Sequence, residues 1–173
     1  MNTILLKGKP VANKLQIYLK DRIQKLSTNG IIPKLAAILI GDDPASQVYV
    51  RNKSKAFEKL QCASQTYKLP KNIDEAEILD LIDKLNSDID VHGILVQLPL
   101  PKHLDSQKIL HSVHPDKDVD GFHPYNLGSL LSGCPKYIPC TPSGVLEIMK
   151  YYNISTVGRH VVIVGRSNIV GKP

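Results

Sequence analysis

The sequence predicts an α/β fold: a three-layer N-terminal domain on a mostly parallel sheet, followed by the first strand and turn of a second, incomplete domain. Three observations carry this. Short apolar runs alternate with stretches of helical periodicity. Two of the runs, residues 35–40 (LAAILI) and 93–98 (GILVQL), are nearly continuous in apolar character, as in strands covered on both faces. A further run at 160–165 (HVVIVG) lies beyond a change of character near residue 140.

The elements follow in order. A first helix is predicted over residues 10–26, with Leu15, Leu19, Ile23 and Leu26 on one side, Pro10 suited to the first turn and Asn29-Gly30 as the stop. After strand 35–40, Gly41-Asp42-Asp43-Pro44 turns the chain into a helix with Ser46 as its expected N-cap. A short strand around 62–69 leads to a helix over 74–86, where Asp74 and Glu77 have the spacing of a capping box. Strand 93–98 is broken by Pro99-Leu100-Pro101, and a helix over 104–111 comes next. Residues 114–124 are rich in Asp, Pro and Gly, and a further helix is expected from Pro142 with Thr141 as its cap. Strand 160–165 and the turn Arg166-Ser167-Asn168-Ile169-Val170-Gly171, with a helix N-terminus expected after it, make an anion-binding corner. The glycines of that corner do not fit GxGxxG, and a lone strand leaves backbone groups unpaired.

At 173 residues the chain is long enough for one well-buried domain, or one domain and part of another. It has no apolar run that would span a membrane, and residues 1–10 lack the apolar core of a signal peptide, so the cytosol is the default. The formal charge is +6, but the 22 Lys and Arg form no block and do not interleave with aromatics, which argues against a nucleic-acid surface. A mild positive field suits small acidic substrates; it is equally an ordinary solvated surface. Cys62, Cys134 and Cys140 have neither CxxC nor zinc-ligand spacing and read as reduced structural thiols.

The first chemical candidate is a lysine on an apolar stripe. Tyr49, Lys53, Ala56, Phe57 and Leu60 fall at i, i+4, i+7, i+8 and i+11, so Lys53 takes a place where leucine is expected. Desolvation disfavours an ammonium group, which makes a buried lysine a candidate acid or base. Tyr49, one turn away, could orient what the amine attacks; alternatively, Lys53 snorkels its charge into water. Gln97 ends an otherwise apolar strand, so its amide needs a partner: either a loop backbone or the lysine. Asp118 and Asp120, beside Gly121, fit a turn, a metal site without further ligands at EF-hand spacing, or a carboxylate that grips the adjacent N–H donors of an amino-pyrimidine.

Tyr49-x-x-x-Lys53, Val96-Gln97-Leu98-Pro99-Leu100, Pro115-Asp116-Lys117-Asp118-Val119-Asp120-Gly121, Pro139-Cys140-Thr141-Pro142-x-Gly144 and Gly165-Arg166-Ser167-x-Ile169-Val170-Gly171 occur in this order. Together they resemble the bifunctional methylenetetrahydrofolate dehydrogenase/methenyltetrahydrofolate cyclohydrolase family over nearly the whole chain. The resemblance implies NADP-dependent oxidation of 5,10-methylene- to 5,10-methenyltetrahydrofolate, then hydrolysis to 10-formyltetrahydrofolate, in one-carbon metabolism that feeds purine biosynthesis. It implies Lys53 as the cyclohydrolase acid/base, Tyr49 stacked on the folate, Gln97 assisting Lys53, Leu98 and Pro99 beside the substrate, and Asp120 anchoring the pterin. Gly165, Arg166, Ser167 and Ile169 would bind NADP, with Arg166 and Ser167 suited to its 2′-phosphate. The implied partners are a tetrahydrofolate substrate and a second copy of the chain as a homodimer, with no nucleic acid and no membrane.

On this reading residues 1–139 form the folate-binding catalytic domain, and 140–173 a linker helix and the beginning of a truncated Rossmann-type NADP-binding domain. Family members continue for roughly another hundred residues, a full domain's worth. If 173 residues are the whole product, the folate cleft is encoded while NADP binding and hydride transfer are impaired. Two rival readings stay open. Tyr-x-x-x-Lys also occurs in short-chain dehydrogenases, which place a glycine-rich nucleotide loop before the pair, whereas here the candidate corner follows it. The other rival is a remnant that binds folate without catalysis.

Overall fold

The computed structural model describes residues 3–173. Its helices are α1 (Gly8–Thr28), α2 (Pro44–Lys59), α3 (Glu75–Ser87), α4 (Ser106–Ser112), α5 (Pro124–Leu131) and α6 (Cys140–Tyr151), and its strands are β1 (Lys34–Ile40), β2 (Ala63–Leu69) and β3 (Gly93–Val96). The strands form a parallel sheet in the order β2-β1-β3, with Leu35 paired to Ser64 on one side and to Gly93 on the other.

The two faces of β1 carry two cores. Ala36, Ile38 and Ile40 meet Ile78, Ile82 and Leu85 of α3 and Ile109 of α4. Leu35, Ala37 and Leu39 meet Val50 and Phe57 of α2. This is the three-layer arrangement that the unbroken apolar run requires, since alternate residues of a strand point to opposite faces. Fully burying one such isoleucine contributes about 1.5–3 kcal/mol.

Several helix starts differ from the sequence reading. Asp43, not Ser46, caps α2: its carboxylate accepts from Ser46 N–H at 2.7 Å, while Ser46 lies inside the first turn and is 3% exposed. Asp74 stands at the N-cap of α3 but makes no side-chain capping bond, so no capping box forms. α6 begins at Cys140 with Pro139 as N-cap, two residues ahead of the expected start at Pro142 with Thr141 as cap. α5 is an additional helix, opened by Pro124 and capped by His123 Nδ1, which accepts from Tyr125 N–H at 3.1 Å.

The stripe of α1 is correctly periodic yet largely open. Leu15, Leu19 and Leu26 are each 39% exposed, and Val11 is the buried residue of this helix. α1 is joined to the end of α6 by Lys7 N–H, which donates to the Tyr152 hydroxyl at 2.9 Å.

The expected strand at 160–165 does not form, nor is a helix assigned after it, where residues 168–171 make turns. Val161, Val162, Ile163 and Val164 are 57%, 72%, 69% and 98% exposed. A strand exists through its ladder, and this segment pairs with none of β1, β2 or β3. No helix of the described residues is long and apolar enough to cross a membrane.

Loop 115–121 is attached to the sheet edge. Ile94 bridges Asp118 in parallel, and Ile94 N–H donates to Lys117 O at 2.7 Å. The approach needs glycine at the start of β3, because a Cβ on Gly93 would stand 2.5 Å from Val119 Cγ1. Gly93→Ala is therefore expected to lower stability by about 1–3 kcal/mol through overpacking. In α5, Gly128→Ala meets nothing within 4 Å and is expected to add about 0.5–1 kcal/mol through helix propensity. Urea unfolding midpoints of the two variants, moving in opposite directions, check this account.

Candidate functional site

In open α/β sheets, ligands bind outside the carboxyl ends of the strands where the strand order reverses. In the order β2-β1-β3, that point lies between β1 and β3, where the chain leaves at Gly41 and Gln97. A cavity of about 370 Å³ opens there, lined in part by Tyr49, Lys53, Val96, Gln97, Leu98 and Asp120. Residues from α2, the end of β3 and loop 115–121 thus share one space.

Lys53 is half-buried on the side of α2 that faces the sheet. The inward stripe of that helix is Ser46, Val50, Lys53 and Phe57, not the stripe through Tyr49. Tyr49 is 63% exposed and forms part of the cavity wall without belonging to the core. The distinction is one of phase: the true stripe includes Ser46, a small residue that polarity alone would assign to solvent.

Ser46 ties α2 to the strand end, donating its hydroxyl to Leu98 O at 3.4 Å. Gln97 N–H donates to Ile38 O at 2.9 Å, which prolongs the β1-β3 ladder by one bond. Its side-chain Nε2 donates to Leu98 O at 2.7 Å, while the buried Oε1 has no partner among the described residues. An orphaned buried acceptor costs about 1–3 kcal/mol, so a donor brought in by a ligand would bind favourably at this atom. The Leu98-Pro99 peptide bond is cis. Pro99 itself is exposed and does not line the cavity, whereas Leu98 does.

Asp118 and Asp120 have different surroundings. Asp118 is 5% exposed, and its Oδ2 accepts from His123 N–H and Asn126 Nδ2, each at 2.8 Å. Asp120 lies in the cavity wall, where burial pushes its carboxyl above the usual carboxylate range, opposed by the positive charge of Lys53. The Cys140 thiol donates to Asp120 Oδ1 over 3.9 Å, and burial, followed by the Asp120 charge, pushes that thiol up as well. The three cysteines are free; Cys134 and Cys140 are exposed, so neither is the packed structural thiol expected from sequence.

The second motif cluster is only partly brought in. Ile169 lines the cavity, but Gly165, Arg166 and Ser167 are exposed and do not. Ser167 Oγ accepts from Val170 N–H at 3.2 Å, and Gly171 sits so close to the Gly165 carbonyl that a Cβ there would collide with its oxygen. The turn is thus tight, and Gly165 adopts φ +135°. Val96, Phe122, Cys140, Thr141 and Val170 also line the cavity, beyond the residues expected from sequence. All but Phe122 stand within the sequence motifs, which are the usable signal for them; Phe122 reaches the site only through tertiary structure.

Residues 6–120 match the family model described as tetrahydrofolate dehydrogenase/cyclohydrolase, catalytic domain, and residues 139–173 the corresponding NAD(P)-binding domain. The bifunctional protein FolD of Exiguobacterium sibiricum is 51% identical over 98% of this chain, and that of Ligilactobacillus salivarius 51% identical over 100%. In both cases the chain spans 61% of the relative's length. Among solved structures, the bifunctional FolD enzyme of Campylobacter jejuni superposes with TM-score 0.94 at 49% identity, covering 98% of this chain and 60% of that one. The Trypanosoma brucei methylenetetrahydrofolate dehydrogenase-cyclohydrolase, complexed with NADP cofactor and inhibitor, gives TM-score 0.94 at 33% identity, with 99% and 59% covered. With both domain models matched in chain order around the cavity, the chain belongs to the tetrahydrofolate dehydrogenase/cyclohydrolase family.

Proposed function

We propose that this chain binds a reduced folate in the cavity at the ends of β1 and β3 and carries the cyclohydrolase half of the family's chemistry. The observation that carries the reading is the convergence of Lys53, Gln97 and Asp120, from three separate segments, on one cavity of about 370 Å³. Asp120 takes the N–H donors of the pterin edge, and Tyr49 at the open side covers the substrate. Water adds to the methenyl carbon and gives a proton to the Lys53 amine. The C–N5 bond of the adduct then breaks as its hydroxyl becomes the formyl carbonyl and releases its proton to solvent; N5 takes a proton back from the Lys53 ammonium, and the formyl group stays on N10. Gln97 orients the amine.

The preceding oxidation is assigned to NADP, which when bound would accept a hydride from the methylene bridge. The exposed Arg166 guanidinium and the Ser167 hydroxyl on the tight 165–171 turn suit a phosphate group. The domain division is placed at 139/140, supported by the separate spans 6–120 and 139–173 of the two matches. A cytoplasmic homodimer supplying one-carbon units to purine biosynthesis completes the proposal, on the strength of the family alone.

Three outcomes are expected. The parent hydrolyses methenyltetrahydrofolate, and Lys53→Met slows it by about 10²–10⁴-fold, the range of a lost acid/base group; an equal rate in parent and variant would sink the lysine's role, and activity in neither would favour a folate-binding remnant. Calorimetric titration with NADP should give binding weaker than micromolar, since the apolar segment before Arg166 is exposed and unpaired; micromolar binding overturns this. The third concerns pH. Because burial raises the folded-state pKa of Asp120, its contribution to stability is complete below the ordinary carboxylate value and is lost as pH rises through the folded one. Asp120→Asn should therefore lose less thermal stability than the parent as pH rises above about 4, the ordinary carboxylate value; parallel melting curves would contradict it.

A further inference from the structure

Asp120 owes its place to a turn that another residue holds. Gly121 N–H donates to Asp118 O at 3.1 Å, closing a turn with Val119 and Asp120 at its centre. Gly121 takes φ +69°, and any Cβ there would meet Pro139 at 3.3 Å, so the turn is pressed against the segment leading into Cys140. One end of the turn is Asp118, bridged to Ile94 of the sheet. The orientation of Asp118 is set by its carboxylate, on which His123 N–H and Asn126 Nδ2 converge at 2.8 Å. Asn126 is 0% exposed, and the same Nδ2 donates its second hydrogen to Pro115 O at 2.9 Å. It therefore clamps the beginning of loop 115–121 to the carboxylate at its middle, across a buried charge-assisted bond.

We propose that Asn126, acting through the buried carboxylate of Asp118, sets the position of Asp120 in the cavity and so is a positioning residue for folate binding. The inference rests on the folate-binding reading above for its function, and on geometry alone for its structural part. Removing the amide leaves the Asp118 charge buried with one donor fewer, and a carboxylate in that state seeks water. The cheapest route outward is rotation of the turn, which takes Asp120 away from Lys53 and Cys140, the other groups that it senses besides Asp118.

Two measurements on the 173-residue protein separate the parts. Calorimetry with 5-formyltetrahydrofolate is run on the parent, Asn126→Ala, Asp120→Asn and the double variant. Each single change is expected to weaken binding by about tenfold or more, and the double variant to bind no more weakly than Asp120→Asn, because a positioning residue has nothing left to position. Losses that add, or a loss in Asn126→Ala with none in Asp120→Asn, would overturn the proposal. The second measurement needs no folate: carboxyl ¹³C titration of Asp120 should move toward the ordinary carboxylate range in Asn126→Ala, and an unchanged titration would overturn the proposal equally. A parent that fails to bind the folate sinks the functional reading, while the titration still decides whether Asn126 places Asp120. Should Asn126→Ala not fold, Asn126→Ser, which keeps a hydroxyl donor near Asp118, is read in both measurements: its folate binding is expected to lie between parent and Asp120→Asn and its Asp120 titration to move toward the ordinary carboxylate range, and parent-like behaviour in both would overturn the proposal.

Discussion

The central strand β1 has no free side, and most of the molecule follows from that. β2 and β3 pair with its two edges, and α2 on one face and α3 with α4 on the other cover its side chains. Residues 35–40 are each at most 5% exposed. A strand so enclosed cannot slip by one residue, since that would exchange two different apolar sets between two different helices. Its carboxyl end is therefore fixed in depth and direction. The helix after it starts where Asp43 caps it, and Lys53 lies a fixed number of turns from there.

The same rigidity reaches the other half of the site through backbone bonds. Gln97 N–H on Ile38 O holds the strand end at β1, and the Ile94 bridge to Asp118 holds the loop beside it. Sites built on strands and helices are held more precisely than sites on free loops. Here even the loop residue Asp120 is two positions from a sheet bridge. By contrast, the 160–165 segment pairs with none of the three strands, and its apolar side chains remain largely open.

The sheet and its covering helices were legible in the sequence because their signals are local: unbroken apolar runs for β1 and β3, and period for α2 and α3. What stayed hidden depends on which neighbour wins. Ser46 reads as a cap, yet Asp43 takes that role and leaves the serine hydroxyl for Leu98 O. An apolar count phases the stripe of α2 through Tyr49, because an aromatic outweighs a serine, and Lys53 stays on the stripe in either phase. Likewise, both aspartates of Asp118-Val119-Asp120 look equivalent in sequence. Their division into a buried anchor and a cavity residue follows from the bridge to Ile94 and from Asn126, eight residues on, in a helix that the sequence reading passed over.

That division also explains how two carboxyl groups can sit so close together beside one lysine. Two like charges in a low-dielectric site resist joint ionisation, and each is tolerated only as far as donors stabilise it. Asp118 accepts from two donors, His123 N–H and the Asn126 amide, each at 2.8 Å. Asp120 is left with a thiol at 3.9 Å and the field of Lys53, and burial acts against its anion. Together with the buried Gln97 Oε1, which no described residue satisfies, it is an acceptor that the fold leaves short of strong donors. A planar ligand edge that offers adjacent N–H donors would supply what both groups lack. On the proposed folate-binding reading, those donors are the ones a pterin edge would bring to this end of the sheet.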